Sequence, residues 1–159
     1  MGIIDPFSGP FRLLSSCPAL IITIRMHNQV WALRGRKGRS FMKISEIASH
    51  LEAEVTCGQD QQDREILAAC GSDLMSDVLA FVKQDAMMLT GMVNPQVIRT
   101  AEMMDITVVA FVRGKKPGAD ILALAGERGM VLLNSPLTMF TACGRLYAAG
   151  LRGDDADAL

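Results

Sequence analysis

Ile106-Thr-Val-Val-Ala-Phe-Val112 is wholly apolar apart from Thr107 and rich in β-branched side chains. Such side chains are stiff at χ1 and pack well on a pleated surface, so the run reads as a strand. It lacks the polar alternation of a strand with one wet face. Both faces must therefore be covered, as in the interior of a parallel sheet.

The flanks repeat one pattern. Upstream, Asn94-Pro95 is an N-cap followed by Pro at the first helical position, with Val97, Ile98, Ala101 and Met104 on one apolar face. Downstream, Arg113-Gly-Lys-Lys-Pro117 is a loop, Ala119 to Arg128 a helix stopped by Gly129, and Met130 to Leu133 a last strand. Asn134-Ser-Pro136 then caps a final helix, Leu137 to Ala149, closed by Gly150. Further upstream, Glu65–Cys70 and Ala86–Thr90 are apolar runs suited to buried strands. Between them Ser72 or Asp73 caps a helix carrying Leu74, Val78, Leu79 and Val82, and Asp85 turns the chain. Before these come a short helix capped by Ser45 and running through His50, a brief strand Glu54–Cys57, and a polar loop from Gln59 to Asp63.

Buried strands alternating with amphipathic helices imply right-handed βαβ crossovers. The expected fold is three-layer α/β: a mostly parallel sheet of about four to five strands with helices on both faces. Strands 65–70, 86–90, 106–112 and 130–133 are parallel, and 54–57 adds at an edge.

The chain has 159 residues, half of them apolar but only eight aromatic, so aliphatic side chains and eleven methionines must fill the core. The net charge of −1 conceals an asymmetry. Residues 1–41 carry six Lys/Arg (Arg12, Arg25, Arg34, Arg36, Lys37, Arg39) against Asp5 alone, whereas the remainder carries ten basic and sixteen acidic residues. An acidic domain is a poor partner for nucleic acid, which is held by neutralising its phosphates. Cys17, Cys57, Cys70 and Cys143 form no CxxC pair, and His27 and His50 are the only histidines. Reduced thiols in a cytoplasmic protein, without metal or cofactor, are expected over disulfides. No apolar run reaches the length of a membrane helix.

Pro6, Gly9, Pro10 and Pro18 break the opening, and Arg34-Gly-Arg-Lys-Gly-Arg39 is a basic run. Between them, 19–33 has the composition of a strand or hairpin without sustained alternation. We read residues 1–41 as a non-core extension upstream of a true start at Met42. The alternatives are a basic arm for a polyanion or an extra docking element. The domain then spans 42–152, and 153–159 is an acidic frayed tail.

Ligands of open α/β sheets bind beyond the carboxyl ends of the strands, where loops meet helix N-termini. The loops there supply Ser72 and Asp73; Thr90, Gly91 and Asn94; Arg113, Gly114 and Lys115; and Asn134, Ser135 and Thr138. Backbone N–H groups with Arg113 and Lys115 suit a modest anion. Against this, every βα turn needs Gly, Asn or Ser for capping, ligand or not. Catalytic signatures are missing: no GxxxxGK[ST], no GxGxxG, no GxSxG, and no histidine in the sheet region to act as a base. Asp73 and Asp77, four residues apart, read as a cap and a surface acid rather than a metal pair. Cys143 reads as core.

The opening Met42-Lys-Ile-Ser-Glu-Ile-Ala48, the segment Gly71-Ser-Asp-Leu-Met-Ser-Asp-Val-Leu79 and the close Asn134-Ser-Pro-Leu-Thr-Met-Phe-Thr-Ala-Cys-Gly-Arg-Leu-Tyr147 resemble the DRTGG domain family. The resemblance runs from Met42 to about Leu151. Thr90-Gly91-Met92 stands where the family commonly has Thr-Gly-Gly, and Arg113-Gly114 where a second Gly-Gly is usual. The chain is similar to stand-alone members found beside iron-hydrogenase and histidine-kinase-like genes. Such members are often called serine kinases, because their fold resembles the N-terminal domain of HPr kinase/phosphorylase. The kinase chemistry there lies in a separate P-loop domain, which this chain lacks. The resemblance implies a regulatory or accessory domain like those fused to phosphate acetyltransferases and CBS-containing pyrophosphatases.

Two functions remain open. One is a non-catalytic sensor of a small anionic metabolite or nucleotide, reporting to a hydrogenase-associated or signalling protein. The other is a homo-oligomeric assembly domain without a small ligand, which exposed methionines at 75, 87, 88, 103, 104 or 139 would favour. An enzyme would rest only on Asp73, Asp77 and Cys143.

Overall fold

A computed structural model describes residues 41–82 and 86–153. The chain divides between Gly38 and Arg39, and everything described lies in the second unit. The extension at 1–41 (Phe41 apart), its 19–33 strand or hairpin, the turn at Asp85 and the tail beyond Gly153 lie outside the described residues.

Among the described residues, seven strands and five α-helices follow in the order β1 (Met42–Lys43), α1 (Ile44–His50), β2 (Glu54–Cys57), β3 (Glu65–Ile66), β4 (Ala68–Gly71), α2 (Met75–Phe81), β5 (Ala86–Thr90), α3 (Pro95–Met103), β6 (Val108–Phe111), α4 (Ala119–Glu127), β7 (Val131–Asn134) and α5 (Met139–Ala148). The main sheet has the order β2-β7-β6-β5-β4. Four strands are parallel, and β2 joins β7 antiparallel at the edge with a register shift between Val55 and Cys57. β1 and β3 form a separate antiparallel pair.

The central strands have no wet face because both are packed. Met87, Leu89, Val108, Ala110, Val131 and Leu133 share one core with Ile44, Ile47, Ala142 and Leu146 of α1 and α5. Met88, Val109, Phe111 and Leu132 point the other way, into a core with Val78, Val97, Ile98, Ala101, Ile121 and Ala125 of α2, α3 and α4. Period-two alternation along each strand thus feeds two separate cores. The three layers match the expected fold.

Several local expectations change. The 65–70 run is two strands, β3 pairing with β1 and β4 entering the main sheet. Ser45 lies inside the first turn of α1, and the exposed N–H of Lys43 is taken by the Glu46 carboxylate at 2.9 Å. Neither Ser72 nor Asp73 caps α2, which starts after Leu74; Leu74 and Leu79 face solvent, and Met75 and Val78 the core. Asn94 does cap α3, accepting from the Val97 N–H at 3.3 Å, with Pro95 next. The cap of α5 is Thr138 rather than Asn134 or Ser135. Met75, Met87 and Met88 are buried core residues, Met104 and Met139 are half-buried, and Met103 on α3 is exposed.

No described helix is long and apolar enough to cross a membrane.

Candidate functional site

Since α2, α3 and α4 cover one face and α5 the other, the loops after β6 and β7 depart to opposite sides of the sheet. Such a divergence normally opens a crevice for a ligand. Here it is laced shut. Gly114 N–H donates to the Ser135 carbonyl at 2.8 Å, Arg113 N–H to the Leu137 carbonyl at 2.7 Å, and Asn134 Nδ2 to the Lys115 carbonyl at 2.6 Å. Ser135, fully buried, donates its hydroxyl to the Leu51 carbonyl at 2.6 Å and accepts from the Leu137 N–H at 3.2 Å. Asn134 and Ser135 therefore serve the scaffold.

The polar groups gather one strand over, above β4, β5 and β6. Asp73 Oδ1 accepts from the Gly91 N–H at 2.6 Å and from the Thr90 hydroxyl at 3.1 Å. Its Oδ2 accepts from Arg113 Nη2 at 2.7 Å. Lys115 Nζ donates to the Gly91 carbonyl at 2.8 Å. Gly91 is thereby held at both its N–H and its carbonyl, and the guanidinium of Arg113 lies over its Cα. A Cβ at position 91 would stand 2.8 Å from Arg113 Cζ, so the close approach requires glycine. Arg113 is held at φ +66°, and Gly114 follows at φ +66°. For a residue with a Cβ, this left-handed conformation costs about 1 kcal/mol. The ladder bond from Val112 N–H to the Thr90 carbonyl at 3.0 Å fixes where that turn begins.

Burial works against ionisation of Asp73. The bonds from the Gly91 N–H, the Thr90 hydroxyl and the Arg113 guanidinium outweigh it and hold the carboxyl below its ordinary value of 3.8. The cluster is consequently an ionised carboxylate paired with the Arg113 guanidinium, with the Lys115 ammonium held on the neighbouring Gly91 carbonyl. Both partners of the Asp73–Arg113 pair keep four-tenths or more of their side-chain surface in water.

Of the residues expected at the strand ends, Asp73, Thr90, Gly91, Arg113 and Lys115 are thus brought together. Ser72 supports them, its hydroxyl accepting from the Leu74 N–H at 3.0 Å. Gly114, Asn134 and Ser135 belong to the laced crevice beside them. Asn94 is spent on its cap, and the Thr138 hydroxyl bonds to that of Thr141 at 3.0 Å. Sequence reasoning left out Met92, whose N–H donates to Thr90 Oγ1 at 3.1 Å. A backbone donor leaves no signal in residue type.

Cys143 packs against the first core, and burial pushes its thiol above the ordinary range, away from reactivity. Among the described residues, no group of three or more His, Cys, Asp or Glu is placed to hold a metal ion.

No family model matches the chain, and no curated protein matches it. Among solved structures it is similar to the CBS and DRTGG domains of the regulatory region of a Clostridium perfringens pyrophosphatase, determined with the activator diadenosine tetraphosphate. The TM-score is 0.54 at 14% identity, over 69% of this chain and 50% of that one. The chain therefore spans half the length of that regulatory fragment. At this identity the likeness is one of fold.

Proposed function

We propose that residues 42–152 form a non-catalytic regulatory domain that senses a small anionic metabolite or nucleotide above β4, β5 and β6. The observation that carries this reading is the convergence of the Gly91 N–H, the Thr90 hydroxyl and the Arg113 guanidinium on the Asp73 carboxylate, with the Lys115 ammonium beside them on the Gly91 carbonyl. Guanidinium, ammonium, hydroxyl and backbone N–H are together the donor set of phosphate and carboxylate sites. The fold it shares with a regulatory region whose activator is a dinucleoside polyphosphate supports the reading. So does the lack of any P-loop in the sequence.

Thermal denaturation with a panel of nucleotides and phosphorylated metabolites tests it. A true ligand at a hundredfold excess over Kd should stabilise the domain by about 2.7 kcal/mol. Arg113→Ala should abolish that gain, and an undiminished gain would move the pocket elsewhere.

A second reading, a homo-oligomeric assembly domain, has its own observation. Phe140 and Tyr147, two turns apart on α5, are 89% and 59% exposed. Large aromatics on one helix face suit a protein contact. Light scattering across a range of concentrations decides it, since a monomer at every concentration would exclude self-association.

A further inference from the structure

Three donors of different kinds converge on one carboxylate in this cluster. The Gly91 N–H, the Thr90 hydroxyl and the Arg113 guanidinium all point at the two oxygens of Asp73, at 2.6, 3.1 and 2.7 Å. They come from the ends of two strands, whereas Asp73 comes from the turn leaving a third. Nothing in that turn requires an acid. Asp73 caps no helix, and its neighbour Ser72 closes the turn through its own bonds to Leu74. The turn is also the open side of the cluster, with Gly71 and Leu74 both exposed.

We propose that the Asp73 carboxylate is an internal occupant of the anion position, and that the ligand is a phosphoryl compound with at least two negative charges that displaces it. The proposal rests on the ligand-sensing reading above and names its chemistry. A singly charged carboxylate arriving from solution would exchange one set of contacts for an equivalent set. It would also lose its translational freedom, so it gains nothing. A phosphoryl group with two charges offers more oxygens in the same space. One can take the place of Asp73 against Gly91 and Arg113, while another draws the Lys115 ammonium from the Gly91 carbonyl. Only such a ligand outbids the occupant, which makes Asp73 the residue that sets the charge threshold. Displacement would free the turn at 72–74, and with it Leu74, as the readout of binding.

The test is calorimetric titration of the full chain and of Asp73→Asn with inorganic pyrophosphate and with acetate. Asparagine keeps an oxygen for Gly91 and Thr90 but removes the charge. Pyrophosphate should bind Asp73→Asn about tenfold more tightly than the unmodified chain, the effect of removing one charge-assisted competitor. Acetate should give no heat with the unmodified chain. Equal pyrophosphate affinity in the two proteins, or acetate binding as well as pyrophosphate to the unmodified chain, overturns the occupant while leaving the sensor standing. Failure of the unmodified chain to bind pyrophosphate or any other phosphorylated compound removes both. Should Asp73→Asn not fold, the unmodified chain alone decides by NMR. Pyrophosphate should move the Gly91 amide and Asp73 carboxyl resonances together, and binding that leaves both in place overturns the proposal.

Discussion

The guanidinium of Arg113 rests on the backbone of Gly91, so closely that a Cβ there would meet its carbon at 2.8 Å. Gly91→Ala should therefore push Arg113 aside rather than disturb the core, because the far end of a long side chain is what must give. We expect a stability loss below about 1 kcal/mol. Pyrophosphate binding should fall much further, as Arg113 leaves Asp73 and the anion position together. Urea denaturation and calorimetry on the same preparation separate the two effects.

Arg113 also carries a backbone prediction. At φ +66° glycine is relaxed and alanine is not. Arg113→Gly and Arg113→Ala both lose the ion pair, so their difference isolates the conformation. The glycine variant should be more stable by about 1 kcal/mol, read from urea midpoints at a common slope. Equal midpoints would mean that the turn relaxes once the side chain is gone.

Ser135 is the buried bolt between the end of β7 and the residue that ends the α1 segment. Its hydroxyl satisfies the Leu51 carbonyl 84 positions away in sequence. Ser135→Ala leaves that carbonyl without its donor and should cost about 1–3 kcal/mol. Ligand affinity should change little, since the bolt lies on the laced side of the strand ends. A Ser135→Ala protein of unchanged stability would show that the carbonyl finds another donor.

The Asp73 carboxyl has a definite pH signature. Its native value is lowered by the Gly91, Thr90 and Arg113 donors against the opposing effect of burial. A lowered native value means that the contribution to stability is complete above the unfolded value of about 3.9 and is lost as pH falls through the native one. The stability gap between the unmodified chain and Asp73→Asn should hold from pH 7 to about pH 5 and close progressively below it. A gap that widens toward acid would contradict the assigned contacts.

Much of the fold was legible because apolar pattern and burial coincide. The run Ile106–Val112 has the composition of a strand packed on both faces, and Asn94-Pro95 is a start signal that local chemistry alone enforces. What was not legible depends on distant partners. Asp73 carries the same signal as any helix cap, yet its partners lie 17 to 40 residues away. Asn134 and Ser135 likewise resemble cap residues, and only the departure of the β6 and β7 loops to opposite faces turns them into the lacing of a crevice. The methionines were ambiguous for a related reason. A thioether fills a core as readily as it lines a contact surface, so Met75, Met87 and Met88 gave no hint of which they did. The break at Leu67 was hidden because β3 and β4 read as one apolar run, although they pair with different sheets.

The outer edge of β4 is met by the backbone of Arg152, which bridges Ala68 in parallel and accepts from the Ala69 N–H at 2.9 Å. Arg152 is anchored in turn by stacking its guanidinium 3.9 Å from the Tyr147 ring centroid and by donating to the Tyr147 carbonyl. Among the described residues, Arg152 thus covers a strand margin whose unpaired N–H and C=O groups would template another chain. Cleavage before Arg152 would keep Leu151 in the first core while uncovering that margin, and added edge-to-edge association is the outcome expected in light scattering.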